Sequence, residues 1–149
     1  MVVLCVLSAA ILLSRFAGAM GVEFLASWPA ATRAGLAVML IFTGIAHFNS
    51  MRHALARMVP PALPPPMAFV YSTGVCEILG AIGLQIPATR FAAAVALIVF
   101  FVAVLPANIR AARADLQLRG KPTTPLILRI PMQALFIALA WWAGISRAA

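Results

Sequence analysis

An all-α, polytopic bundle of transmembrane helices is the architecture this sequence predicts, and three observations predict it. The chain is 64% hydrophobic and only 9% charged, whereas soluble domains run roughly 45–50% apolar and about 25% charged. Its apolar runs reach the length of about 20 helical residues that crosses the hydrocarbon core of a bilayer. The connections between those runs are short, so 149 residues hold one membrane domain and leave no room for a soluble one.

Taken in order, Val2 to Leu13 is a continuous apolar run, followed by Ser14, Arg15 and Ala17-Gly18-Ala19. Residues 1–22 are expected to form an N-terminal transmembrane helix. The small residues also suit the cleavage site of a signal peptide, but no Lys or Arg precedes the run as a signal's basic region requires. Arg15 can snorkel to the interface from a retained helix. Glu23 to Thr32 is a polar break in which Trp28 suits an interface and Pro29 an element boundary.

The second span is Ala31 to Phe48, with Gly35, Ala37, Gly44 and Ala46 permitting close helix approach. Five prolines between Pro60 and Pro66 then forbid a helix. Ser50 to Met58 is short, basic and partly amphipathic, which suits the interface. Met67 to Ile86 is the third span. Pro87-Ala88-Thr89 joins it tightly to the fourth, Phe91 to about Ile109, making an antiparallel hairpin. Pro106 is expected to kink or end that helix. Arg110 to Thr124 reads as a basic loop, and Pro125 to Ile145 as the last span, with Trp141 and Trp142 near its far interface.

The formal net charge of +8 is set mainly by residues in the connections. Five spans place Arg52, Arg57, Arg110, Arg113, Arg119 and Lys121 on one side, and Arg15, Arg33, Arg90 and Arg147 on the other. The positive-inside rule then puts the N-terminus and the loops 49–66 and 110–124 in the cytoplasm. The alternative use of the densest cluster, Arg110 to Lys121, is contact with anionic lipid. Basic and aromatic residues are not interleaved on a polar face, so nucleic acid is excluded as a partner. Cys5 and Cys76 form no C-x-x-C motif and no zinc spacing, and both read as inert packing residues; no metal site is expected.

Glu77 is one of three acidic residues and falls in the middle of the third span. A carboxylate there is costly, and such groups usually face a protein interior or a polar cavity. Three spans carry polar pairs four residues apart, hence on one helix face: Thr43 with His47, Thr73 with Glu77, and Arg129 with Gln133. At about 1.5 Å per residue, Glu77 and Gln133 lie roughly 12–15 Å below the basic face, and Thr43, Thr73 and Arg129 roughly 6–9 Å. His47 and Asn108 fall near its mouth. Arg129 is the expected counter-charge of Glu77, and His47 a group able to titrate beside it. The same cluster can equally serve only to fix helix register and packing. Phe48, Phe100, Phe101 and Phe136 can line an apolar pocket or simply pack.

Several ordered segments resemble the DoxX-like membrane proteins. They are Gly44-Ile45-Ala46-His47-Phe48, Met58-Val59-Pro60 with Pro64, Thr73-Gly74-x-x-Glu77-x-x-Gly80-Ala81-x-Gly83-Leu84, Pro106-Ala107-Asn108 and Arg129-Ile130-Pro131-x-Gln133. The resemblance covers about residues 31–146 and implies a four-helix membrane unit, here with an extra N-terminal helix. The wider family includes a subunit associated with thiosulfate:quinone oxidoreduction, maturation factors, partners of redox-defence enzymes and receptor-assembly chaperones. It implies no single activity.

The expected function is therefore that of a small inner-membrane auxiliary protein rather than an enzyme. A buried polar site, drawn from His47, Thr43, Thr73, Glu77, Asn108, Arg129 and Gln133, would bind a small hydrophobic ligand or a partner helix in membrane-protein assembly or redox homeostasis. No cofactor motif is evident. The enzyme alternative is a quinone- or thiol-linked oxidoreductase subunit in which Glu77 and His47 exchange protons and Arg129 orients the substrate. That version needs a bound quinone or another redox subunit, because the chain offers no electron carrier. A small transporter acting as an oligomer is the third class; no internal repeat supports it.

Overall fold

The computed structural model describes residues 2–61, 65–113, 117–118, 121–122 and 125–145. Helix α1 spans Val2–Ala19 and runs into a turn at Gly21, whose φ of +109° is a conformation open to glycine at little cost. A 3-10 turn at Glu23–Leu25 leads to α2, Trp28–Ala46. That helix begins earlier than its apolar run because its start signals precede the run. Ser27 Oγ accepts the Ala30 N–H at 3.3 Å, and Pro29 occupies the first turn, where a missing N–H costs nothing. The short α3, Arg52–Ala56, lies within the amphipathic segment expected between the second and third spans.

Helix α4, Pro66–Gln85, matches the predicted third span to within a residue at each end. Beyond the Pro87 turn come α5, Arg90–Ala103, and α6, Leu105–Arg113. Pro106 interrupts the fourth span as expected: α5 ends at Ala103, and Pro106 stands in the first turn of α6, the position proline tolerates. The break falls at Val104, and the Asn108 N–H reaches the Val104 carbonyl at 3.1 Å. Arg110 and Arg113, expected in a loop, accordingly lie in the last turn of α6. A two-rung antiparallel ladder follows, β1 (Gln117–Leu118) with β2 (Lys121–Pro122), pairing Gln117 with Pro122 and Leu118 with Lys121. Helix α7 spans Leu126–Gly144 and carries Pro131 inside it.

Among the described residues, five stretches are long and apolar enough to cross a membrane: α1, α2, α4, the α5–α6 rod and α7. Their neighbours define the architecture. Helix α2 packs on α4, α4 on α5, α5 on α7 and α7 back on α2, closing a ring of four, while α1 lies outside against α2. Some 61% of α2 is buried against 11–28% of the other spans, so α2 is the helix on which the rest assemble. The shared core is made by Leu7, Leu36, Leu40, Leu84, Leu97, Phe101 and Phe136.

In lipid the hydrophobic effect does little to hold helices together, and close packing at small residues takes over. The contacts follow that rule. A Cβ built at Gly35 would lie 2.3 Å from Ile11 Cγ1 and 3.0 Å from the Ile11 nitrogen, so α1 crosses α2 there. At Gly44 a Cβ would lie 3.0 Å from Ile78 Cγ1 and 3.3 Å from the Gly74 carbonyl oxygen, which is the α2–α4 crossing.

The α2–α4 pair is also staggered. At one end Gln85 Nε2 donates to the Arg33 carbonyl at 3.0 Å. At the other, His47 abuts Gly74 just as α2 ends, while α4 continues for about two turns, roughly 12 Å, to Pro66.

Candidate functional site

The stagger decides where the polar residues fall. His47 was expected near the mouth of a pocket, well above Glu77. Instead the end of α2 meets α4 part-way along its length, and His47 stands level with Gly74 and Glu77. Helix α4 buries Val70, Gly74, Ala81 and Leu84 on one stripe, and Glu77 shares that stripe, facing the Gly44 crossing. Its side chain is 12% exposed, and that of His47 13%.

Three of the predicted residues form the first group. Glu77 Oε2 lies 4.0 Å from His47 Nδ1. That nitrogen is 3.0 Å from the Thr43 carbonyl oxygen, and a carbonyl can only accept, so Nδ1 carries its proton and spends it there. The Thr43 hydroxyl stands beside the carboxyl but has Met39 and Leu40 carbonyls at 3.1 and 3.2 Å, and one proton serves one of them at a time. Glu77 Oε2 is left buried with no hydrogen-bond partner. Buried oxygens are paired in the great majority of cases, which makes this one the most conspicuous chemical feature among the described residues.

Thr73 does not join the group. Its hydroxyl bonds back to the Phe69 and Val70 carbonyls of its own helix at 2.8 and 2.9 Å. Phe48 stacks on Tyr71 with ring centroids 5.9 Å apart, on the lipid side of the His47–Gly74 contact.

The other three residues make a second group between α6 and α7. Arg129 donates to Asn108 Oδ1 at 2.8 Å, Asn108 Nδ2 donates to Gln133 Oε1 at 3.2 Å, and Gln133 Nε2 donates to the Phe101 carbonyl. The expected Arg129–Glu77 ion pair is therefore corrected. Among the described residues the basic side chain beside Glu77 is His47, 4.0 Å away, and Arg129 donates to Asn108. The azimuth of each helix, which a sequence does not show, separates the two charges.

A further expectation changes: Cys5 and Cys76 are exposed free thiols rather than packing residues. Of the two roles open to the phenylalanines, Phe100, Phe101 and Phe136 take the packing one, in a tilted stack with centroids 5.8 Å apart in both pairs.

One polar cluster escaped the sequence reading. Arg33, counted there as a flanking charge, is buried and donates to the Ala143 carbonyl in the last turn of α7 at 2.9 Å. Its own carbonyl receives Gln85. The available signal was its place well inside the helix that Ser27 and Pro29 start, a turn deeper than an interfacial arginine needs to be.

Fold and sites together define a class: a helical bundle of membrane-crossing length whose seams are pinned by polar groups. Residues 36–144 match the family described as a domain of unknown function, DUF8561, and the chain belongs to that family. The match spans most of the four-helix ring and leaves α1 outside it. No match was found among curated proteins or among solved structures.

Proposed function

We propose that this chain is an auxiliary protein of a bacterial-type inner membrane whose Glu77–His47–Thr43 site holds the donor-bearing head of a small hydrophobic molecule. The observation that carries the reading is Glu77 Oε2, buried and without a hydrogen-bond donor. Leaving such an oxygen unmatched costs about 1–3 kcal/mol, and a hydroxyl or N–H from a bound molecule removes that cost. The molecule would approach sideways from lipid, past the exposed Phe48–Tyr71 stack. A polar side chain on a partner helix would meet the same requirement.

The ordered motifs resembling DoxX-like proteins support a role in membrane-complex assembly or redox homeostasis, and the loop charges support a cytoplasmic N-terminus. The test is native mass spectrometry of the protein extracted from its own membrane, beside Glu77→Gln and Glu77→Leu. A small molecule carried by the wild type, reduced with Gln and absent with Leu in folded protein, is the expected result. A co-purifying protein lost in the same order assigns the site to a partner helix. A bare wild-type spectrum, with all three proteins equally stable, overturns the reading.

A further inference from the structure

The polar groups along the Glu77 seam differ in the protons they have left to give, and that difference narrows the chemistry of a ligand. His47 Nδ1 lies 3.0 Å from the Thr43 carbonyl oxygen and spends its proton there, so Nε2 of the neutral ring keeps a lone pair and no hydrogen. The Thr43 hydroxyl has the Met39 and Leu40 carbonyls at 3.1 and 3.2 Å for its one proton, which leaves its oxygen an acceptor. One turn along α4, the Thr73 hydroxyl is turned in the same way to Phe69 and Val70. Glu77 Oε2 is buried without a donor. These side chains have acceptors to spare and no proton to lend.

Such a seam is matched by a head that carries several donors on one small centre. A hydroxyl supplies one, whereas a primary ammonium supplies three, and its bond to a carboxylate is charge-assisted. The lipid side of the seam adds an independent preference. Phe48 stacks on Tyr71 with ring centroids 5.9 Å apart and planes 17° from parallel, and the two residues are 42% and 40% exposed. The Phe48 ring reaches α4 at Gly74, where a Cβ would lie 2.9 Å from it, one turn from Glu77. Aromatic faces attract ammonium groups through the ring quadrupole and do little for a neutral head. Arg52 donates to the Phe48 carbonyl at 3.5 Å on the far side of that residue, so the approach open to a cation is the lateral one, past the rings.

We infer that the Glu77 site takes a hydrophobic amine, whose protonated amino head donates to Glu77 and His47 beside the Phe48–Tyr71 pair and whose apolar body stays in the lipid. It rests on the ligand reading of Glu77 and narrows that reading from any donor-bearing head to an ammonium.

The purified full chain in a non-ionic detergent is titrated with dodecylamine, dodecanol and dodecyltrimethylammonium, and adduct occupancy in native mass spectra and Tm are read for each. The probes share a tail and differ in the head: charge with donors, a donor without charge, and charge without a donor. The wild type is expected to hold dodecylamine several-fold more than either of the others, and Glu77→Gln to lose that preference. Phe48→Leu, a change at an exposed ring, is expected to lower dodecylamine occupancy several-fold and leave dodecanol as it was; this variant decides the matter even where Glu77→Gln fails to fold. If dodecanol equals dodecylamine and Glu77→Gln lowers both, the amine is overturned while the ligand reading stands. Equal binding of dodecyltrimethylammonium and dodecylamine overturns it too, since donors then count for nothing. If no probe separates wild type from Glu77→Gln, and Phe48→Leu binds as the wild type does, the amine is overturned, and a molecule carried from the native membrane and lost in Glu77→Leu would still uphold the ligand reading.

Discussion

Gly74 of α4 backs directly onto His47 of α2: a Cβ at position 74 would stand 2.6 Å from His47 Cβ and 2.9 Å from the Phe48 ring. His47 Cβ is fixed to the α2 backbone and cannot withdraw, even where the exposed Phe48 ring can swing aside. Gly74→Leu should therefore lower stability by about 1–3 kcal/mol, the usual cost of overpacking, seen as a fall in Tm in detergent. Val75→Leu, one residue on but facing outward, should stay within about 0.5 kcal/mol of the wild type. Equal Tm values for the two variants would show that the helices do not cross at Gly74.

The Asn108–Gln133 bond at 3.2 Å joins α6 to α7. Interhelical hydrogen bonds in membranes average about 0.6 kcal/mol and reach roughly 1.7. Gln133→Leu should exceed that average, because it strands both Asn108 Nδ2 and the Phe101 carbonyl, at about 1–3 kcal/mol. A double-mutant cycle with Asn108→Ala should show positive coupling of about 0.5 kcal/mol or more. Simple additivity would mean that the two side chains do not meet.

Arg33→Met should loosen the end of α7, since the Ala143 carbonyl loses its donor. The expected readout is faster amide exchange at Gly144 and Ile145, with unchanged exchange around Glu77. A loss of about 1.5–3 kcal/mol suits a charged donor. Uniform acceleration across all helices would instead mark Arg33 as a requirement for the whole fold.

Helix α1 makes a tight crossing with α2 at Gly35. Gly35→Leu would drive a side chain into Ile11, whose backbone nitrogen stands 3.0 Å from the added Cβ. We expect α1 to move away from α2, measured as a longer spin-label distance between the two helices. The ring of α2, α4, α5 and α7 should persist with its helicity intact, because α1 lies outside it. Collapse of the ring together with α1 would contradict that arrangement.

How much of this the sequence carried can be judged residue by residue. The α4 boundaries followed from Pro66 and Pro87 flanking an apolar run, and the start of α2 was missed by a few residues because Ser27 lies outside the run it caps. The Thr43–His47 face was legible from its four-residue spacing. The Arg129–Glu77 pairing was not, since spacing places residues on a face without saying which neighbour that face meets. His47 was set at the wrong level for a related reason: helix lengths alone do not reveal that α2 and α4 are staggered. Arg33 was overlooked because it was grouped with the charges that flank the spans, although Ser27 and Pro29 place it more than a turn inside α2.

That stagger has a consequence for how the bundle assembles. The overlap of α2 and α4 is bounded at each limit, by the Gln85–Arg33 hydrogen bond at one and by the close seat of His47 on Gly74 at the other. Sliding α2 by a single turn, about 5.4 Å, would unfasten both at once and bring side chains against the narrow Gly44–Gly74 gap. Two greasy rods in oil have many alignments of nearly equal energy. Fastened at both limits, these two have one.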